Sequence, residues 1–209
     1  MKTLVIVDCQ NDFAIANGGT LYVPKAGIAI AHIIDKLRND KEINEVVFTL
    51  DWHPIDHVSF KPNGGIWPVH CLQYTWGAAL VNGLIETCIE NNISYKIFLK
   101  GNNAKTEEYG AFTHFGEYQF AWVDEGNADS KWATLTVFGN NASLNSFLTF
   151  KNIDREVCGL AGDYCVMETI KNIIKEKTAN VTAYGKGIAS IDGGTAFAEF
   201  CKTNNIQIV

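Results

Sequence analysis

Apolar residues in this chain gather into short unbroken runs, and few of them alternate with polar ones. The runs are "TLVIVD" (3–8), "EVVFTLD" (45–51), "YKIFLK" (95–100), "REVCGLA" (155–161), "NVTAYG" (180–185) and the terminal "IQIV". A strand that is apolar on both faces must be covered on both faces, which is the condition of a central strand in a parallel sheet. Between the runs lie helical patterns, at 25–39 ("KAGIAIAHIIDKLRN"), about 142–150, about 163–177 and about 194–204. Strands alternating with helices predict a doubly wound α/β sheet between two helical layers. At 209 residues the chain is read as one domain, 1–209.

Two connections are longer than such a fold needs, 52–77 and 101–141. Long loops in compact α/β domains are usually functional, and ligands bind beyond the carboxyl ends of parallel strands. Topology alone therefore directs attention to Asp8, to Asp51 with His53, to Lys100, and to the stretch from Ala161 to Cys165.

Composition narrows the classes. A net charge of −6 argues against nucleic acid and anionic membranes as partners, since both are met by basic patches. The first apolar run, Leu4 to Val7, is too short for a signal h-region, and no stretch approaches the length of a membrane span. Six scattered cysteines without a CxxC pair fit reduced thiols and a cytoplasmic location.

"AGDYCVMETI" (161–170) places Cys165 in the first turn of a helix, where free N–H groups favour a thiolate and can receive an oxyanion. The plain alternative is a small core residue. Asp8 reads equally as a turn residue, and Lys100 as a solvent-facing lysine. Free Asp and Cys differ by roughly 4.6 pKa units, or about 6 kcal/mol, so an aspartate alone deprotonates a thiol poorly. A cation beside them lowers the thiol pKa, which makes Lys100 the expected third member.

Asp51, His53, His57 and His70 form the pattern D-x-H-x3-H-x12-H, and hold three of the five histidines within eighteen residues. Residues 51 and 53 of an extended strand end point the same way. Three imidazoles and a carboxylate suit zinc, iron or manganese better than calcium or magnesium. Scattered surface histidines, or a structural zinc using Cys71, are the competing readings.

Together "VDCQNDF" (7–13), "DWHPIDHVSF" (51–60), "WPVHC" (67–71), "KG" (100–101) and "GLAGDYCV" (159–166) resemble the nicotinamidases (pyrazinamidases) of the isochorismatase-like cysteine hydrolases. The resemblance implies a six-stranded, mainly parallel sheet between helices. It implies Asp8 as base and acid, Lys100 as its ion-pair partner and Cys165 as nucleophile. Asp51, His53, His57 and His70 would hold one divalent metal, zinc first, with iron or manganese as alternatives. A cis peptide is implied at Leu160–Ala161, with the amides of Ala161 and Cys165 as oxyanion hole. Phe13, Trp67, Tyr109 and Leu160 would form the substrate-binding set. The implied activity is hydrolysis of nicotinamide, or similar amides such as pyrazinamide, to the acid and ammonia in NAD salvage. Its rivals are a cysteine amidohydrolase for ureido or carbamoyl compounds and a non-catalytic metal-binding protein. Gly162 stands where relatives usually carry Thr, and Gly110 where Ser is frequent. The aromatic 112–138 segment suits a lid or a contact in a homo-oligomer.

Overall fold

A computed structural model of the chain describes residues 2–112, 120–124, 134–138, 154–175 and 180–209. In chain order the elements begin with β1 (Lys2–Val7), α1 (Asn11–Ala14), α2 (Ala26–Asn39), β2 (Ile43–Asp51), α3 (Leu84–Glu90) and β3 (Ser94–Lys100). They continue with β4 (Phe120–Asp124), β5 (Thr134–Phe138) and β6 (Asp154–Gly159). A π-helical turn, Gly162–Val166, then leads into α4 (Met167–Lys175), followed by β7 (Val181–Ile188), α5 (Thr195–Thr203) and β8 (Gln207–Ile208). The helix expected at 142–150 lies outside the described residues.

The eight strands among the described residues join one sheet in the order β5-β4-β3-β2-β1-β6-β7-β8. The six expected strands, β3 through β8 across the centre, pair in parallel, as the unbroken apolar runs require. Within the 101–141 connection, β4 and β5 extend the β3 edge in antiparallel fashion.

The two faces of β1 show why its run is apolar throughout. Leu4 and Ile6 pack among Ile30, Ile33 and Leu37 of α2 and Leu84 of α3. Val5 and Val7 face the other way, into a cluster with Ile170 and Ile173 of α4 and Phe197 and Phe200 of α5. Each such side chain, fully buried, contributes roughly 1.5–3 kcal/mol. The helix α2 matches its face to this task by placing Ala26, Ala29, Ile30, Ile33 and Leu37 at helical spacing on the sheet side.

Register positions the site. Val7 pairs with Thr49 on one side and Gly159 on the other, and Asp51 pairs with Lys100. The carboxyl ends of β1, β2, β3 and β6 therefore stop nearly in step. The strand order reverses at β1, where the chain returns past β1 to β6, so these ends open a crevice. Among the described residues no helix is long and apolar enough to cross a membrane.

Candidate active site

One cation sits between two carboxylates at these strand ends. Lys100 Nζ lies 2.8 Å from Asp8 Oδ2 and forms an ion pair with Asp51 Oδ1. Asp8 and Lys100 have no solvent exposure, and Asp51 is also buried. Thr49 Oγ1 donates to Asp8 Oδ1 at 2.7 Å, while Asp8 Oδ2 accepts no aligned hydrogen bond. Cys165, in the π-helical turn, brings its Sγ within 4.8 Å of a carboxylate oxygen of both Asp8 and Asp51. Gln10, a residue the sequence did not flag, ties the ends of β1 and β2 together. Its Oε1 accepts the Asp51 N–H at 2.8 Å, and its Nε2 donates to the Asp51 carbonyl at 2.7 Å.

The imbalance of charge sets the acidities. Burial pushes Asp8 up to about 6; Lys100 offsets part of that and Asp51 adds to it. Burial would also raise Asp51, but Lys100 and then His53 outweigh it and hold this carboxyl well below the usual range. Burial would lower Lys100, and its two carboxylate partners more than reverse that. For Cys165 burial comes first and raises the thiol pKa well above the ordinary value; Lys100 opposes it, but Asp8 and Asp51 reinforce it. Lys100 lowers the thiol pKa as expected, but burial outweighs it. One cation shared by two carboxylates does not offset complete burial, which pushes the Cys165 thiol up with a carboxylate beside it.

Next to this group, His53 Nε2 is 3.5 Å and His70 Nε2 is 4.0 Å from Asp51 Oδ2, with all three side chains buried. His53 Nδ1 donates to the Gly101 carbonyl at 3.0 Å and His70 Nδ1 to the Pro68 carbonyl at 2.8 Å. Metal-binding imidazoles characteristically donate their second nitrogen to such an acceptor, which turns the other toward the ion. Burial would lower the pKa of His53, yet Asp51 outweighs it and raises it, so positive charge is stabilised between them. This donor set fits a divalent ion. Gly101 permits the arrangement, since a Cβ there would lie 2.4 Å from His53 Cε1.

His57 is beside the group without joining it. Its ring centre is 4.1 Å from that of His53, but its Nε2 faces the Thr106 carbonyl at 3.2 Å and its Nδ1 faces Ser59. The structure therefore brings together three of the four residues in the D-x-H-x3-H-x12-H pattern.

Above Cys165 opens a cleft walled by Phe13, Trp67, Tyr109 and Tyr164, with Asp51 and His70 at its floor. Trp67 Nε1 donates to Tyr109 Oη at 3.1 Å, and the Trp67 and Tyr109 rings lie 5.3 Å and 5.4 Å from that of Tyr164. The Leu160–Ala161 peptide is cis, and Ala161 lines the cleft. The Leu160 side chain does not: it is fully buried in the core on the α2 side. Its expected place among the substrate-binding side chains is corrected, because the strand end turns that side chain inward. Tyr164 and Glu107 also line the cleft and were missed. The one adjoins Cys165 in sequence and the other precedes Tyr109 by two residues, so proximity to flagged positions was the available signal.

No protein-family model matches the sequence. The nicotinamidase of Saccharomyces cerevisiae is 30% identical over 195 residues, covering 81% of this chain and 79% of its own. The nicotinamidase/pyrazinamidase of Mycobacterium tuberculosis is 32% identical over 216 residues, covering 100% of this chain and 98% of its own. The chain belongs to the nicotinamidase family. Among solved structures, the pyrazinamidase of Pyrococcus horikoshii in complex with zinc is 30% identical, with a TM-score of 0.72 covering 100% of this chain and 98% of that one. The chain is thus a nicotinamidase-type hydrolase, and its fold is shared with an isochorismatase-like hydrolase from Alkaliphilus metalliredigens, 15% identical with a TM-score of 0.66 over 100% of this chain and 93% of that one. Gly162 and Gly110 are both closely packed. A Cβ on Gly162 would lie 2.3 Å from Ser190 Oγ, and one on Gly110 would lie 2.7 Å from the Glu168 carbonyl carbon.

Proposed function

We propose that this chain hydrolyses nicotinamide to nicotinate and ammonia through a thioester on Cys165. The observation that carries the reading is the buried Asp8–Lys100–Asp51 group with Cys165 at the base of an aromatic cleft. Asp8 Oδ2, the oxygen without an aligned hydrogen bond, takes the Cys165 proton as sulfur attacks the carboxamide carbon. The N–H groups of Ala161 and Cys165 hold the oxyanion. Asp8 returns the proton to the departing ammonia. It then takes one from the water that attacks the thioester, releasing nicotinate and restoring the thiol. Lys100 keeps its proton throughout and holds both carboxylates in place.

Phe13, Trp67 and Tyr109 stack against the pyridine ring. Asp51, His53 and His70 would hold one divalent ion; zinc suits their two nitrogens and one oxygen, and iron or manganese are alternatives. When bound, that ion supplies a Lewis-acid anchor for the ring nitrogen, which selects pyridine and pyrazine carboxamides. The reading extends to NAD salvage in the cytoplasm. Among the described residues the cysteines are free, which suits a reducing compartment. The acidic charge suits a small-molecule partner over nucleic acid or membranes. The aromatic 112–138 segment, read as a lid or a contact in a homo-oligomer, lies largely outside the described residues.

Ammonia release from nicotinamide, pyrazinamide and a ureido compound tests the reading. Turnover of the two ring amides is expected, with loss on chelation, recovery with zinc, and loss in Cys165→Ala with metal still bound. Preference for the ureido compound, or activity retained by Cys165→Ala, overturns it.

A further inference from the structure

We propose that His57 is a positioning residue that straps the 101–107 segment over the site, and is not a ligand of the metal. The proposal deepens the nicotinamidase reading and rests on it for the identity of the substrate.

The ring's hydrogen bonds fix its tautomer. The Ser59 backbone N–H points at His57 Nδ1 at 3.3 Å, and Ser59 Oγ lies 2.7 Å from the same nitrogen. A backbone N–H only donates, so Nδ1 is the acceptor. A carbonyl only accepts, so Nε2, 3.2 Å from the Thr106 oxygen, carries the proton. Both nitrogens are then committed, and neither offers a lone pair to an ion. His53 and His70 show the opposite pattern. In each, Nδ1 faces a carbonyl and Nε2 is turned to Asp51. One pattern of imidazole spacing in the sequence thus conceals two kinds of imidazole.

The other end of this hydrogen bond gives it a purpose. The segment after β3 is stitched to the 52–73 loop at successive points. Trp52 N–H donates to the Lys100 carbonyl at 2.8 Å, His53 Nδ1 to the Gly101 carbonyl at 3.0 Å, and Val58 N–H to the Ala104 carbonyl at 2.7 Å. His57 to Thr106 is the last of these before Glu107 and Tyr109, which both line the cleft. His57 is fully buried, with Ser59 beneath it, so its ring is held firmly enough to fix Thr106. The imidazole therefore acts on the substrate through the Tyr109 wall, at one remove from the metal.

His57→Gln and His57→Leu separate the two roles. Glutamine keeps a donor near the Nε2 position and lacks the imidazole; leucine fills the space with no donor. Zinc stoichiometry, the visible spectrum of the cobalt-substituted protein, and KM and kcat for nicotinamide are measured on each. The strap predicts one metal per chain and an unchanged cobalt spectrum in both variants. It also predicts a near-native KM in His57→Gln and a KM raised about tenfold in His57→Leu, the loss of one buried hydrogen bond. Loss of metal or a changed cobalt spectrum in His57→Gln overturns the proposal, as does a native KM in His57→Leu. Should the leucine variant not fold, the metal content and KM of His57→Gln still decide. The metal readouts need no substrate, so failure of the nicotinamidase reading would appear separately, as an inactive wild-type chain.

Discussion

Two ion networks sit at opposite ends of the same strands, and they are built on opposite terms. At the amino ends, Lys2 pairs with Asp40 at 2.7 Å and with Glu156 at 3.1 Å, while Lys36 pairs with the same two at 3.0 and 2.9 Å. Two cations meet the Asp40 and Glu156 carboxylates there, with the exposed Glu42 3.8 Å from Lys2, and the Lys2 and Asp40 side chains keep 19% of their exposure. At the carboxyl ends, one lysine serves two carboxylates with no exposure for Lys100 or Asp8. The same residue type moves in opposite directions. Burial would raise Asp40, but Lys2 and Lys36 outweigh it and bring it down to about 2, whereas Asp8 is pushed up to about 6. A partly exposed network in which each of two close carboxylates meets two lysines locks charges in place. A dry one in which one lysine serves two carboxylates leaves a carboxylate that still wants a proton, which is what a base near neutral pH requires.

The largest expected break in this comparison comes from Asp8→Asn. Removing the base should lower kcat/KM by about 10²–10⁴-fold. Its effect on stability should run the other way. A folded pKa raised above the unfolded value stabilises the fold only while the group is protonated, and that stability is lost as pH rises through about 6. At pH 7.5 the ionised Asp8 is therefore a cost, and Asp8→Asn should melt no lower than the wild type in a thermal scan. Clear destabilisation would show Asp8 to be a structural ion like Asp40.

A smaller effect sharpens the same point through pH. On the proposed mechanism Asp8 must be ionised to accept the thiol proton, so kcat/KM should climb about tenfold per unit below pH 6 and level off above it. An acid limb centred near 4 would mean that Lys100 dominates burial. The smallest effect belongs to Asp40→Asn. This half-wet pair is worth about 1 kcal/mol or less. Asp40 stabilises the fold above its unfolded pKa, and that contribution fades as pH falls toward 2. Asp40→Asn should therefore cost a little stability at neutral pH, measured by urea unfolding, and leave the kinetic limb near pH 6 untouched.

The carboxyl-end group was legible in the sequence because parallel strands of similar length must end together. Once "TLVIVD", "EVVFTLD" and "YKIFLK" were read as such strands, Asp8, Asp51 and Lys100 had to be neighbours. The terms of that neighbourhood were not legible. Spacing does not say how dry a crevice is, so the weight of burial against the Lys100 contribution at Cys165 could not be read. Nor does it say which nitrogen of an imidazole carries the proton, so His57 looked like His53. The strands "FAWVD" (120–124) and "TLTVF" (134–138) have suitable β-branched and aromatic residues. They lie inside a segment rich in Gly and Asn, and their pairing with β3 is non-local, so they read as loop. The amino-end network escaped notice because Lys2 of β1, Lys36 and Asp40 at the end of α2, and Glu156 of β6 are far apart in sequence, and only Lys36 and Asp40 share a helical spacing.

The central claim is that the unbalanced site makes Cys165 a nucleophile toward the carboxamide. Acid-quenching the metal-loaded chain during turnover of nicotinamide, followed by peptide mass spectrometry, tests it most directly. The account predicts a nicotinoyl group on the peptide that carries Cys165, removed by hydroxylamine and absent from Cys165→Ala. Steady turnover by a Cys165→Ala chain, or an acyl group on any other residue, would contradict it.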